Sequence, residues 1–95
     1  MDFEEFSALA QREFRNLYPV GSLEITKRDS MIDTESDFLR LKHIYDGDTM
    51  WIIEGSSKCG VYCFIPVYNR LATFNMNRAT AFMNILEAIM KYDLK

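Results

Sequence analysis

Hydrophobic residues recur every three or four positions at both ends of the chain and about every second position in between. The N-terminal repeat runs through Phe3, Phe6, Ala10, Phe14 and Leu17. This spacing places the apolar side chains on one face and predicts an amphipathic α-helix. Pro19 ends the helix, because a proline forces the residue before it towards extended geometry.

The C-terminal repeat is longer and predicts a second amphipathic helix. Its apolar face contains Met76, Ala79, Met83, Leu86, Ile89 and Met90, and is widened by Phe82 and Ile85. Asn75 is predicted to begin this helix, because asparagine favours the N-cap position. Both helices need an apolar surface to cover, since most helical stability in proteins comes from the packing of such a face.

Four segments between the helices have the pattern of β-strands. They are Ser22–Arg28, Phe38–Tyr45, Met50–Ile53 and Val61–Val67. Met50–Ile53 is apolar on both faces, which is typical of a central strand. Pro66 has no N–H to donate, so the last strand is predicted to lie at a sheet edge or to contain a bulge. Residues 55–60, GSSKCG, are predicted to form the loop before it.

The dipeptide Asp46-Gly47 is the strongest hairpin signal in the chain, because both residue types tolerate the positive φ that a tight hairpin turn requires. If these two residues form the whole loop, Lys42 lies opposite Trp51, on the face away from His43. A three-residue loop would instead place Trp51 on the same face as His43.

These elements together predict a single α+β domain over residues 1–95. Four strands form an antiparallel meander, and the N-terminal and C-terminal helices pack on one face of it, in the order α-β-β-β-β-α. With the two-residue loop, the uncovered face carries Trp51, Ile53, Tyr62, Phe64 and Tyr68. Such a patch is typical of an interface and predicts a homodimer or a bound partner. The alternative is that residues 29–37 and 69–74 cover it.

The composition is that of a globular protein. Of the 95 residues, 48% are hydrophobic and 14% aromatic, which excludes disorder over the whole chain. No apolar run approaches the ~20 residues that a helix needs to cross a membrane. The N-terminal MDFEEF is acidic, whereas a secretory signal begins with basic residues. We therefore expect a cytoplasmic protein that does not bind membranes.

The formal net charge of −3 is unevenly distributed along the chain. Residues 29–54 contain seven acids and only two bases, whereas residues 55–95 contain two acids and five bases. Six of the acids are candidate binding residues: Asp29, Asp33, Glu35, Asp37, Asp46 and Asp48. An acidic surface repels a phosphate backbone, so we expect a protein partner with a basic surface and no direct nucleic-acid binding. The alternative is that these charges belong to solvated loops.

The candidate chemical groups are one histidine and two cysteines. His43 falls in the middle of a strand on an apolar face, where a packed side chain is expected rather than an acid–base catalyst. Cys59 is a candidate nucleophile because the neighbouring Lys58 lowers a thiol's pKa, but it also needs a base and an oxyanion site. Cys63 is predicted to be a small buried hydrophobe. No cofactor motif or four-ligand zinc pattern is present.

These features predict a non-catalytic protein-binding inhibitor or regulator. In size, acidity and lack of a catalytic motif the chain is similar, as a class, to small phage anti-host proteins and bacterial immunity proteins, which implies the same kind of function. One alternative is a DNA mimic, whose spaced carboxylates imitate phosphates and block a nucleic-acid-binding protein or a nuclease. Another alternative is a cysteine-dependent enzyme that uses Cys59.

Overall fold

The computed structural model describes residues 3–29, 37–58, 61–70 and 72–93. These residues form two helices and four strands: α1 (Phe3–Leu17), β1 (Ser22–Asp29), β2 (Asp37–Tyr45), β3 (Asp48–Lys58), β4 (Val61–Asn69) and α2 (Ala72–Asp93). The strands form one antiparallel sheet in the spatial order β1-β2-β3-β4, which confirms the predicted meander and the α-β-β-β-β-α order. Within the described ranges, no helix is both long enough and apolar enough to cross a membrane.

Helix α1 packs its apolar stripe inward, as the spacing of that stripe predicts. Phe6, Ala10 and Phe14 are buried. The side-chain amide of Gln11 donates to the carbonyl of Leu23 at 2.8 Å. This bond connects the helix to β1, so the packing of α1 does not depend on apolar contacts alone.

The turn between α1 and β1 is held by Arg15. Its guanidinium donates to the carbonyls of Tyr18, Pro19 and Gly21 at 3.0–3.2 Å. These bonds satisfy carbonyls that have no partner within the helix. Gly21 has a φ of 88°, in the left-handed region that favours glycine. The chain can therefore reverse into β1 immediately after the proline.

The turn between β2 and β3 is the predicted two-residue hairpin loop. Asp46 and Gly47 have φ values of 52° and 79°. Positive φ at both central residues is the requirement of a type I′ turn, whose twist matches that of the strands it connects.

A β-bulge directly after this turn changes the register. The pairing shifts between His43 and Ile44, and Met50 is left without a partner, so that His43 pairs with Trp51. The prediction that Lys42 lies opposite Trp51 is therefore wrong. One extra residue in β3 moves every later side chain of that strand to the other face of the sheet.

The shifted register buries most of the aromatic residues predicted for the uncovered face. Trp51 and Ile53 have no exposed surface and Phe64 is 5% exposed, because all three lie under the helices. The prediction is wrong for these three. Tyr68 is 46% exposed, because a second bulge leaves Val67 unpaired and turns Tyr68 to the other face.

Two boundaries also differ from the predictions. Strand β3 continues to Lys58, through most of the segment predicted as a loop. Gly55 is buried there, paired with Leu39 on one side and with Phe64 on the other. Helix α2 begins at Ala72, so Asn75 lies inside the helix and does not cap it.

The core is centred on an aromatic cluster that joins both helices to the sheet. Its members are Phe14, Tyr18, His43, Trp51 and Phe82. The indole N–H of Trp51 donates to the hydroxyl of Tyr18 at 3.1 Å. The ring of His43 lies 4.6 Å from that of Tyr18 and 5.4 Å from that of Trp51, between centroids. Aromatic pairs at such distances contribute about 0.5–1.5 kcal/mol each beyond their burial.

Candidate functional site

The sheet face opposite the helices is exposed, and we call it the open face. By strand register its described side chains include Glu24, Thr26, Arg40, Lys42, Ile44, Ile52, Glu54, Ser56, Cys63, Ile65 and Tyr68. Its β4 side is the most exposed part, since Ile65 is 59% exposed and Cys63 is also exposed. Within the part of the chain that the structure describes, no element packs on this face. An exposed apolar strip of this kind is typical of a protein interface.

The described charged side chains of the open face form oppositely charged pairs across neighbouring strands. Arg40 and Glu54 are register partners, and Nε and Nη2 of Arg40 both donate to Oε2 of Glu54, at 3.0 and 2.8 Å. Glu24 and Lys42 are register partners across β1 and β2. Among the open-face side chains that the structure describes, each of these acids therefore has a base as its register partner.

The outer edge of β4 is poorly suited to pairing with another strand. The backbone N–H of Phe64 donates to Oε1 of Glu87 in α2 at 3.1 Å. Pro66, two residues further along, has no N–H to offer. An occupied donor and a proline are both devices that protect sheet edges from strand addition. At these two positions the edge of β4 therefore offers no free donor to an added strand.

Those candidate acids that lie within described strands and turns occupy two opposite ends of the sheet. Asp29 and Asp37 pair with each other at one end of the sheet. Asp46 and Asp48 lie exposed at the other end of β2, about 26 Å away at ~3.3 Å per residue. Asp33 and Glu35 lie outside the described residues, as do the side chains of Asp29, Asp37 and Tyr62.

A pocket of about 200 Å³ opens beside the aromatic cluster. Its walls come from the turn after α1, from β2 and β3 and from α2, and its lining residues are Tyr18, Pro19, Val20, His43, Tyr45, Met50 and Arg78. Sequence reasoning missed this site because its lining is collected from separate elements. The one signal in the sequence was a lone histidine on an apolar strand face.

His43 is the unusual residue of this pocket. It is 5% exposed, and neither ring nitrogen forms a hydrogen bond of good geometry with a described group. Burial lowers the pKa of His43, and the nearby backbone of Val20 opposes this shift only in part. Burial also raises the pKa of Tyr18, against the effects of the Trp51 N–H and of Arg78. Both groups are therefore neutral at pH 7.

The cysteines differ from their predicted roles where the structure describes them. Cys63 is an exposed free thiol on the open face and not a buried hydrophobe. Cys59 lies outside the described residues. His43 is buried on the helix-covered face, so the sheet separates it from Cys63. In the described part of the chain, no group of three or more His, Cys, Asp or Glu side chains is arranged to hold a metal ion.

Comparisons with protein-family models, curated proteins and solved structures give no match to this chain.

Proposed function

We propose that this chain is a non-catalytic protein-binding domain that pairs with a second copy of itself through the open face. The observation that carries this proposal is the alternation of charge across β2 and β3, where Arg40 lies directly beside Glu54. A surface that carries both charges side by side can be complementary to itself under two-fold symmetry.

One orientation of the two-fold axis satisfies these charges. An axis parallel to the strands places β2 of one copy over β3 of the other, as in aligned packing of two sheets. Arg40 then lies opposite the partner's Glu54, and Glu54 opposite the partner's Arg40. An axis perpendicular to the strands would instead bring Arg40 towards the partner's Lys42, where like charges repel.

The size of the open face indicates a weak dimer. Four strands at ~4.8 Å spacing and eight residues at ~3.3 Å give a footprint of about 500 Å². Standard interfaces bury about 800 Å² per partner. We therefore expect a dissociation constant in the micromolar range, with dimers that form as concentration rises.

The parallel axis also gathers the acidic residues. Both copies of the Asp46 and Asp48 hairpin lie at one end of such a dimer, and both copies of the Asp29 and Asp37 pair lie at the other end. Two acidic ends support the proposal of an inhibitor or regulator that binds a protein with a basic surface. A DNA mimic is less well supported, because the two acidic ends are about 26 Å apart, whereas duplex DNA carries one charge per ~1.7 Å.

The test is a charge-reversal exchange measured by light scattering. The parent should approach twice the chain mass of 11.2 kDa as concentration rises. Arg40→Glu and Glu54→Arg should each stay monomeric. In a homodimer of either variant, residue 40 of one copy would face residue 54 of the other, and both would carry the same charge. An equimolar mixture of the two variants should recover the dimer mass. Arg12→Glu, the same charge change on the exposed side of α1, is the matched control and should behave as the parent.

The mixture separates an interface effect from a folding effect. In each variant, residues 40 and 54 of the same sheet carry like charges, and mixing does not remove this repulsion within a chain. Recovery of mass on mixing therefore reports contacts between copies. If the parent stays monomeric at every concentration, or if the variants form dimers as the parent does, the proposed pairing is wrong.

A further inference from the structure

We propose that the pocket between the α1–β1 turn, β2 and α2 binds a small organic carboxylate, with Arg78 and His43 holding the carboxylate group. This inference is independent of the open face, which lies on the other side of the sheet. It rests on the shape of the pocket, on a buried imidazole without a partner and on a cation at the pocket wall.

The pocket has the size of a small molecule. Its volume of about 200 Å³ lies below the ~300–1,000 Å³ that is usual for sites of drug-sized ligands. Pro19, Val20 and Met50 supply apolar walls, and the ring of Tyr18 supplies an aromatic one. A ligand that fits here has a compact apolar body and little room for a second charged group.

Within the described part of the chain, the buried imidazole lacks a hydrogen-bond partner, which a polar ligand atom inside the pocket would supply. His43 is 95% buried, and both of its ring nitrogens are without a hydrogen-bond partner among the described residues. A buried polar group in this state costs about 1–3 kcal/mol. Gly21 packs tightly against the imidazole, since a Cβ at that position would lie 2.7 Å from Nε2 of His43. The backbone of Val20 acts on the imidazole without forming a hydrogen bond of good geometry. A ligand atom in the pocket would supply that bond.

The donors of the pocket favour an anion. The guanidinium of Arg78 lies 6.0 Å from the ring of Tyr18, and it forms no ion pair within the described ranges. The hydroxyl of Tyr18 accepts the Trp51 N–H, so its own proton remains available to donate. A neutral imidazole supplies one further N–H.

A carboxylate fits this arrangement better than a phosphate does. The planar fork of an arginine matches a carboxylate with two parallel hydrogen bonds. The lining contains a single permanent cation, Arg78, which balances one negative charge and not two. The apolar walls then contact the hydrocarbon part of the ligand.

The experiment uses two natural reporters, because the chain has one histidine and one tryptophan. Benzoate and hexanoate are titrated against the full chain, and the His43 imidazole and Trp51 indole resonances are followed by NMR. We expect saturable shifts of both signals, with the millimolar to micromolar affinity of small ligands. Benzamide, the neutral analogue of benzoate, and inorganic phosphate should bind at least about tenfold more weakly.

Two variants test whether benzoate binds in this pocket. Arg78→Gln should weaken benzoate binding by about tenfold or more while the indole resonance of the free protein keeps its position. Arg12→Gln, which removes an exposed arginine of α1, should leave the affinity unchanged. The proposal is overturned if benzoate gives no saturable shift, if benzamide binds as tightly as benzoate, or if Arg78→Gln binds as the parent does.

Discussion

At the scale of single residues, the most constrained position is the contact between Gly21 and His43. The turn after α1 brings the Gly21 backbone against the imidazole, and a side chain there would meet Nε2 of His43 and the carbonyl of Ile44 within 2.8 Å. The glycine therefore has two roles, since it adopts a positive φ and also leaves room for the buried ring.

Two glycine variants separate these roles. Gly47→Ala places a side chain at a positive φ with no atom within 4 Å, so it should destabilise the fold by about 1 kcal/mol through backbone strain alone. Gly21→Ala adds a collision with backbone and should cost about 3 kcal/mol or more. Urea unfolding of both variants measures the difference. Equal losses would show that His43 and Ile44 do not confine Gly21.

The buried imidazole predicts a dependence of stability on pH. Burial lowers the pKa of His43 from its ordinary value of 6.5, so between the lowered value and 6.5 the unfolded chain binds more protons than the folded one. The stabilisation is therefore full above about pH 6.5 and is lost as pH falls through the folded pKa. The free energy of unfolding should fall by up to about 1.4 kcal/mol per pH unit within this window.

The measurement compares urea unfolding of the parent and of His43→Phe from pH 8 to pH 5. His43→Phe should lack the part of the pH dependence of the free energy of unfolding that comes from the imidazole, while carboxylates contribute equally to both proteins. The charged or titratable side chains that line the same pocket are Tyr18, Tyr45 and Arg78. Burial raises the pKa of Tyr18, so this phenol stays neutral throughout the range. Parallel pH profiles for the two proteins would contradict a buried neutral imidazole.

At the scale of elements, two β-bulges decide what each face of the sheet presents. The bulge at Met50 turns Trp51 and Ile53 towards the helices, and the bulge at Val67 turns Tyr68 away from them. The side chain of Met50 packs against the core, and the indole of Trp51 reaches the hydroxyl of Tyr18. Burial of the tryptophan, with its N–H satisfied, provides a physical reason for the first bulge.

At the scale of the whole molecule, the proposed dimer would bring the acidic residues of two chains together. One chain has a net charge of −3, so a dimer has twice that, −6. The segment that contains Asp29, Asp33, Glu35 and Asp37 connects β1 to β2 at one end of the sheet. Two such segments at the same end of a dimer would create a stronger field, which steers association with a basic partner.

Neutralising this segment tests the acidic contribution. The triple variant Asp33→Asn, Glu35→Gln and Asp37→Asn should keep the thermal midpoint of the parent, because the sequence pattern predicts solvated charges here and such charges contribute little to folding. Its affinity for a basic partner should fall by roughly 0.5–1 kcal/mol per lost contact at low salt, and the dependence on ionic strength should flatten. Calorimetric titration with a basic partner protein at two salt concentrations measures both effects. Unchanged affinity at both concentrations would mean that these acids are only solvated surface.

The sequence by itself determined the elements and their order. Apolar spacing of three and four identified both helices, alternation identified the strands, and Asp46-Gly47 identified the hairpin. These features depend on contacts between residues close in the chain, so local patterns contain the necessary information. The edge position and bulge of β4 followed from Pro66 for the same reason.

Tertiary structure alone decided the register, the open face and the pocket. The bulge at Met50 adds one residue, and a shift of one residue exchanges the two faces of a strand. Trp51 is apolar enough for either face, so the pattern in β3 could not choose between them. The choice depends on Phe14, Tyr18 and Phe82, which belong to parts of the chain far from Trp51 in sequence. Burial against such distant residues is a property of the folded core, and no local pattern contains it.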